Sequence, residues 1–235
     1  MSLLTIVNAA QAMLNLPISS TVIGNTGQAQ KQLLALANMD GKLTADEFAW
    51  QRLIRETSFT TVATEEQTDA TADIPADLGW IIDETLFNRS TTLKIYGPLA
   101  AREWQERKAF GVNIAWSQYR IRGNSFWFLP APTAAQTVYY EYVSSYFCES
   151  SGGTRQAAWT ADTDLALIPE NVLIMGLVWR WKAAKGMEHT GDYNAWVEVK
   201  ERAAARSGTK RKLSIVGPTT PPKGGRGTIP EGNWS

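Results

Sequence analysis

Residues 167–186 read LIPENVLIMGLVWRWKAAKG, and the architecture turns on them. The spacing predicts a helix over 168–185, stopped by Gly186, which takes the left-handed backbone after a helix C-cap without a Cβ penalty. Apolar residues lie nearly all round this helix, so it is expected to be buried on most faces, in a bundle core or between subunits. Leu173, Leu177 and Trp181 recur at fourfold spacing on one side, and Trp179 adds a further large aromatic. These four are the expected packing residues of the buried helix and of any subunit contact it makes.

Helical signals bracket the chain, and strand signals fill its middle. Leu3, Ile6, Val7, Ala10, Met13 and Leu14 repeat at helical spacing behind a Ser2 cap and stop at Pro17, which predicts a helix over 2–15. Leu33, Leu34, Leu36 and Ala37 predict a second over 27–38. Thr44 and Glu47 have the spacing of a capping box and predict a third over 45–55, with Phe48 and Leu53 turned inward. TSFTTVAT (57–64) alternates like a strand, after which DIPADLGWIIDETLF (73–87) returns to helical spacing over 75–87, with Leu78, Ile81, Ile82 and Leu86 on one side. YGPLAAREWQERK (96–108) predicts a short helix over 98–108, with Pro98 in its first turn and Leu99 and Trp104 packing it down.

In YRIRGNSFWFLP (119–130), Gly123-Asn124 separates two runs of strand formers, the signature of a tight hairpin. Phe126 and Phe128 then share one face and Trp127 takes the other. TVYYEYV (137–143) supplies a further strand, and a last helix over 192–206 carries Tyr193, Trp196, Val197, Ala203 and Ala204 and ends at Gly208. The expected class is α+β: a bundle of N- and C-terminal helices with an antiparallel β region inserted at about 56–148, forming a body over 1–205.

Residues 206–235 have a different character. They hold six of the 23 Lys and Arg but one of the 23 Asp and Glu, with Pro218, Pro221, Pro222, Pro230 and six glycines. Such a segment cannot bury enough surface to offset its ordering entropy, so it is expected to be an extended arm that lies on another chain; a plain solvated tail is the alternative. Without it, residues 1–205 carry 17 basic and 22 acidic groups, a net of −5. A cationic arm on an acidic body suits nucleic acid, a membrane or an acidic protein groove, and charge alone does not choose among them.

Positive signs of chemistry are sparse. One cysteine, Cys148, precludes an internal disulfide, and one histidine, His189, leaves no second imidazole for a zinc site. No stretch approaches the length of a membrane span, and the start of the chain lacks a basic region and cleavage site, so a soluble protein made in the cytosol is expected. Leu36–Glu47 resembles a calcium loop in Asn38, Asp40, Gly41 and Glu47, but its first ligand position holds Leu36, which offers no oxygen. Trp116, Tyr119, Trp127, Tyr139 and Tyr140 invite a sugar-stacking reading, although strand alternation must send some of them into a core. The pairs Asp83/Glu84 and Asp162/Asp164 offer two carboxylates each, with nothing in the sequence to position them. No nucleophile elbow, phosphate-binding loop or H-E-x-x-H is present. No catalytic residue, cofactor or metal is expected.

Four stretches carry a resemblance: LLTIVNAAQAMLNLP (3–17), IYGPLAAREWQERKA (95–109), YRIRGNSFWFLPAPTAAQTVYYEYVSSYFC (119–148) and DTDLALIPENVLIMGLVWRWKAAKG (162–186). Together they resemble the head-to-tail adaptor proteins of tailed bacteriophages, also called head-completion or tail-tubular-A-like proteins. The resemblance implies a structural virion protein, not an enzyme, assembled as a homo-oligomeric ring, commonly of twelve copies. That ring would sit between the portal and the tail nozzle or tail tube protein. Genomic DNA would pass through the lumen without specific binding, and no membrane is involved. The arm, through Lys210, Arg211, Lys212, Leu213, Ile215 and Val216, is the expected portal-binding element. A peptidoglycan-degrading virion enzyme and a carbohydrate-binding module remain the alternatives.

Overall fold

The computed structural model of the chain describes residues 1–68, 74–111, 117–123 and 125–208. Helix α1 (Leu3–Met13) begins where Ser2 Oγ accepts the Thr5 amide at 3.4 Å, and it buries Leu3, Ile6, Val7 and Ala10. Helix α2 (Gln28–Glu47) is a single helix of 20 residues where the sequence suggested separate helices over 27–38 and 45–55. Gly41 lies inside this helix, and its missing Cβ leaves the space filled by the Phe147 ring. Burial of that ring outweighs the roughly 1 kcal/mol that a mid-helix glycine costs. Thr44, expected to cap a new helix, is buried inside α2, and its carbonyl accepts from Trp50 Nε1 at 2.8 Å. The chain then turns through Trp50 and Leu53, both buried, into strand β1 (Ile54–Thr60).

The helix expected over 75–87 is instead two short strands. Strands β3 (Leu78–Ile81) and β4 (Phe87–Asn88) lie along one side of the long strand β8 (Thr137–Ser144), and β1 pairs along the other side in antiparallel register from Ile54↔Val143 to Thr60↔Thr137. Gly79 sits against the β8 backbone, where a Cβ would meet the Val143 carbonyl at 2.8 Å, and Glu84 has φ +66, which no α-helix accommodates. Apolar spacing alone did not separate one helix from two strands joined by a turn. Strand β5 (Leu93–Lys94) pairs with β4 and completes the five-stranded sheet.

A second sheet has the order β2 (Glu66–Gln67), β7 (Ser125–Leu129), β6 (Gln118–Arg122). The expected hairpin joins β6 to β7, with Gly123 at φ +59; Asn124 lies outside the described residues. Helix α3 (Ala101–Phe110) is anchored by buried Trp104. It starts at N-cap Ala100, so Pro98 precedes the helix and does not occupy its first turn; Gly97, φ +147, lets the chain close on Tyr119 there. A small sheet, β10 (Arg155–Gln156), β9 (Cys148–Glu149), β11 (Leu165–Ala166), leads to helices α4 (Glu170–Ala184) and α5 (Thr190–Ser207).

Two cores result. In one, α1, α2 and α5 surround α4, joined by Trp50, Leu53, Phe147 and Trp159. In the other, the sheets enclose Phe59, Phe126, Phe128 and Tyr140, with the Phe59 and Phe126 ring centroids 5.2 to 6.2 Å from the others. Phe126 and Phe128 do face inward together, with Trp127 on the other side. Strand β8 ties the cores, placing Tyr140 and Tyr142 in the second and Val143 in the first.

Candidate assembly surfaces

The buried helix spends most of its apolar surface inside the chain. On α4, Leu173, Leu177 and Trp181 are 4%, 0% and 5% exposed and belong to the helical core. Trp179 is half-buried at the edge, with its ring centroid 5.2 Å from Tyr193 and 5.6 Å from Trp196 of α5. Arg180 lies over the Trp179 ring at 4.4 Å and donates from Nε to Asp40 Oδ1 of α2 at 2.7 Å. Lys200 covers Trp196 at 4.1 Å while it bonds Glu47 at 2.8 Å. These cation–π contacts and ion pairs fasten α2, α4 and α5 into one block.

The root of the arm is part of that block. Helix α5 runs through Arg206 to Ser207, and Ser207 Oγ accepts the Gln51 amide at 3.0 Å, so the first two residues of the expected arm belong to the body. Lys210, Arg211, Lys212, Leu213, Ile215 and Val216 lie outside the described residues.

Exposed apolar side chains are scattered over the described residues, from Ile18 and Phe110 to Met187, and two groups of them lie on neighbouring positions. Met39 (45% exposed) and Leu43 (48%) stand one turn apart on α2, and Phe87, Leu93 and Tyr96 are 42–50% exposed along the β4–β5 rim. Sequence reasoning missed both patches because it divided α2 and folded 75–87 into a helix. The i, i+3, i+7 spacing of Leu36, Met39 and Leu43 was the available signal for the first.

The residues considered for chemistry have structural uses. Asn38 Oδ1 accepts the Trp159 amide at 2.9 Å, and the whole of 36–47 is helical, so the calcium-like spacing encloses no loop. Asp162 accepts from the Val22 and Ile23 amides at 3.0 and 2.8 Å, and Asp164 from the Thr160 and Ala161 amides at 2.7 and 2.8 Å. Glu84 is an exposed partner of Lys94 at 3.2 Å. Tyr119 and Tyr140 are buried, Tyr139 is covered by Arg89 at 3.7 Å, and Trp127 faces Arg122 at 5.3 Å, so the pleat divides these aromatics instead of assembling a sugar platform. Trp116 lies outside the described residues. Burial pushes the Cys148 thiol up to about 12, which makes it a poor nucleophile. Among the described residues, no group of three or more His, Cys, Asp or Glu is placed to hold a metal ion, and no helix is long and apolar enough to cross a membrane.

The residues considered for chemistry are committed to internal contacts, and exposed apolar side chains on α2 and along β4 and β5 suit packing against other chains. Residues 1–217 match the family described as SU10 adaptor protein, and the chain belongs to that family of structural phage adaptors. No curated protein sequence matches it.

Proposed function

We propose that the protein assembles as a twelve-copy ring at the virion's head-to-tail junction, joining the portal to the tail protein that follows and leaving a central passage for DNA. The family match over 1–217 carries this reading, since it spans every described element. A closed ring needs heterologous contacts, in which each subunit offers two different surfaces. The α2 patch of Met39 and Leu43 and the β4–β5 rim of Phe87, Leu93 and Tyr96 lie on two separate elements and suit that need. Trp179, at the margin of the core, extends the packing surface of α4.

The arm is the portal-binding element in this reading. Lys210, Arg211 and Lys212 meet acidic groups of the portal, while Leu213, Ile215 and Val216 fill shallow pockets or add an edge strand. Because α5 holds Ser207 to the body, the deletion that tests this removes 209–235 and leaves the helix whole. The truncated protein is expected to form rings and fail to join the portal; attachment at wild-type affinity would refute the role of the arm.

A further inference from the structure

A polar cleft of about 370 Å³ opens between β1, the segment entering β3 and the turn before β10, lined by Arg55, Ala76, Asp77, Tyr146, Gly153, Thr154 and Arg155. Two guanidinium groups share this space with one carboxylate. Asp77 is already committed: Oδ1 accepts the Tyr142 hydroxyl at 2.9 Å, and Oδ2 accepts the Ser144 hydroxyl at 2.7 Å and Arg55 Nη1 at 3.2 Å. Although burial pushes the Asp77 carboxyl up, those hydrogen bonds hold it below its ordinary value.

Arg155 is built in place. Its turn is closed by Ser150, whose amide donates to the Thr154 carbonyl at 2.7 Å and whose Oγ accepts the Thr154 amide at 3.1 Å. Arg155 Nη2 donates to the Arg52 carbonyl at 2.7 Å, whereas Nη1 is buried without a hydrogen-bond partner. The neighbouring Arg52 supplies no spare charge, since its guanidinium bonds the Ala166 carbonyl at 3.1 Å and Glu149 at 3.5 Å. Burial and the positive charge of Arg55 both lower the proton affinity of Arg155. Asp77 and Glu149 pull the other way, yet neither bonds Nη1, and a buried donor left unmet is costly unless an acceptor completes it.

We propose that the cleft between Arg55 and Arg155 is an oxyanion-binding site that takes one carboxylate or phosphate group. The planar forks of two arginines match the paired oxygens of either group. The acceptor comes from an acidic side chain of an adjoining protein or from a phosphate.

Calorimetric titration of the full chain, with inorganic phosphate in one arm and N-acetylglutamate amide in the other, at ionic strength held constant with chloride, tests the site and separates the sources. Saturable binding of one probe per chain is expected, and the tighter probe identifies the source. Loss of one charge-assisted contact in Arg155→Gln should weaken it about tenfold or more. Arg102→Gln makes the same charge change on exposed α3 and should bind like wild type. Should Arg155→Gln compromise folding, Arg155→Lys keeps the charge, loses the fork and should still bind more weakly than wild type. The absence of saturable binding by either probe, or wild-type binding by a folded Arg155 variant, would overturn the proposal.

Discussion

Asp40 is 1% exposed within α2, bonded to Arg180 through Oδ1, and its Oδ2 has no hydrogen-bond partner. Burial raises its carboxyl to about 6 against the pull of Arg180, with Glu47 raising it further and Lys200 opposing. An acid whose folded value lies above its unfolded value binds more protons when folded. Its contribution to stability is therefore complete below about 4 and lost as pH rises through about 6. The Tm difference between wild type and Asp40→Asn, measured from pH 4 to pH 7, should move against wild type as pH rises; movement the other way would mean that the Arg180 pair dominates. Gln67 presents a different lesson. From the sequence it is expected to be an exposed site that tolerates change, but it is fully buried, accepting the Val62 amide at 2.8 Å and donating to the Val62 and Thr64 carbonyls at 3.0 and 2.7 Å. Gln67→Ala leaves those backbone groups unmet and should cost about 1–3 kcal/mol, whereas Gln105→Ala, exposed on α3, should stay within about 0.5 kcal/mol by chemical denaturation.

At the scale of elements, α4 is expected to be the part whose loss the fold tolerates least, since α1, α2 and α5 pack around it. Leu177→Ala removes a fully buried side chain and should cost about 2–5 kcal/mol. Gly176 is a sharper probe, because a Cβ there would collide with the Asp40 carboxylate. Gly176→Ala improves helix propensity yet should lower Tm, and a stabilised variant would show that α2 and α4 are not in close contact. Helix α4, the β6–β7 hairpin and β8 were legible in the sequence because local signal and tertiary role agree in each: apolar faces all round, a Gly123 turn, alternating aromatics. Helix α2 and strands β3 and β4 were not, because their decisive contacts are remote. Gly41 answers to Phe147 and Gly79 to the β8 backbone, partners more than 60 residues away in sequence that no local window contains. The Arg55–Arg155 cleft was hidden for the same reason, with its residues drawn from four separate stretches of the chain.

At the scale of the whole molecule, charge is split along the sequence, net −5 over 1–205 and net +5 over 206–235. A net of −5 over 1–205 disfavours binding of duplex DNA, and the dense cluster Lys210–Lys212 falls beyond that stretch. A protein ending at Gly208 should therefore show no detectable binding to duplex DNA at physiological salt; submicromolar binding that falls steeply with added salt would refute passive passage. The claim on which the rest depends is assembly. Native mass measurement of the full-length protein, alone and mixed with portal, tests it most directly. A closed multimer is expected, twelve copies in the portal-bound complex, with portal attachment lost on deleting 209–235. A monomer that remains a monomer in the presence of portal would contradict it.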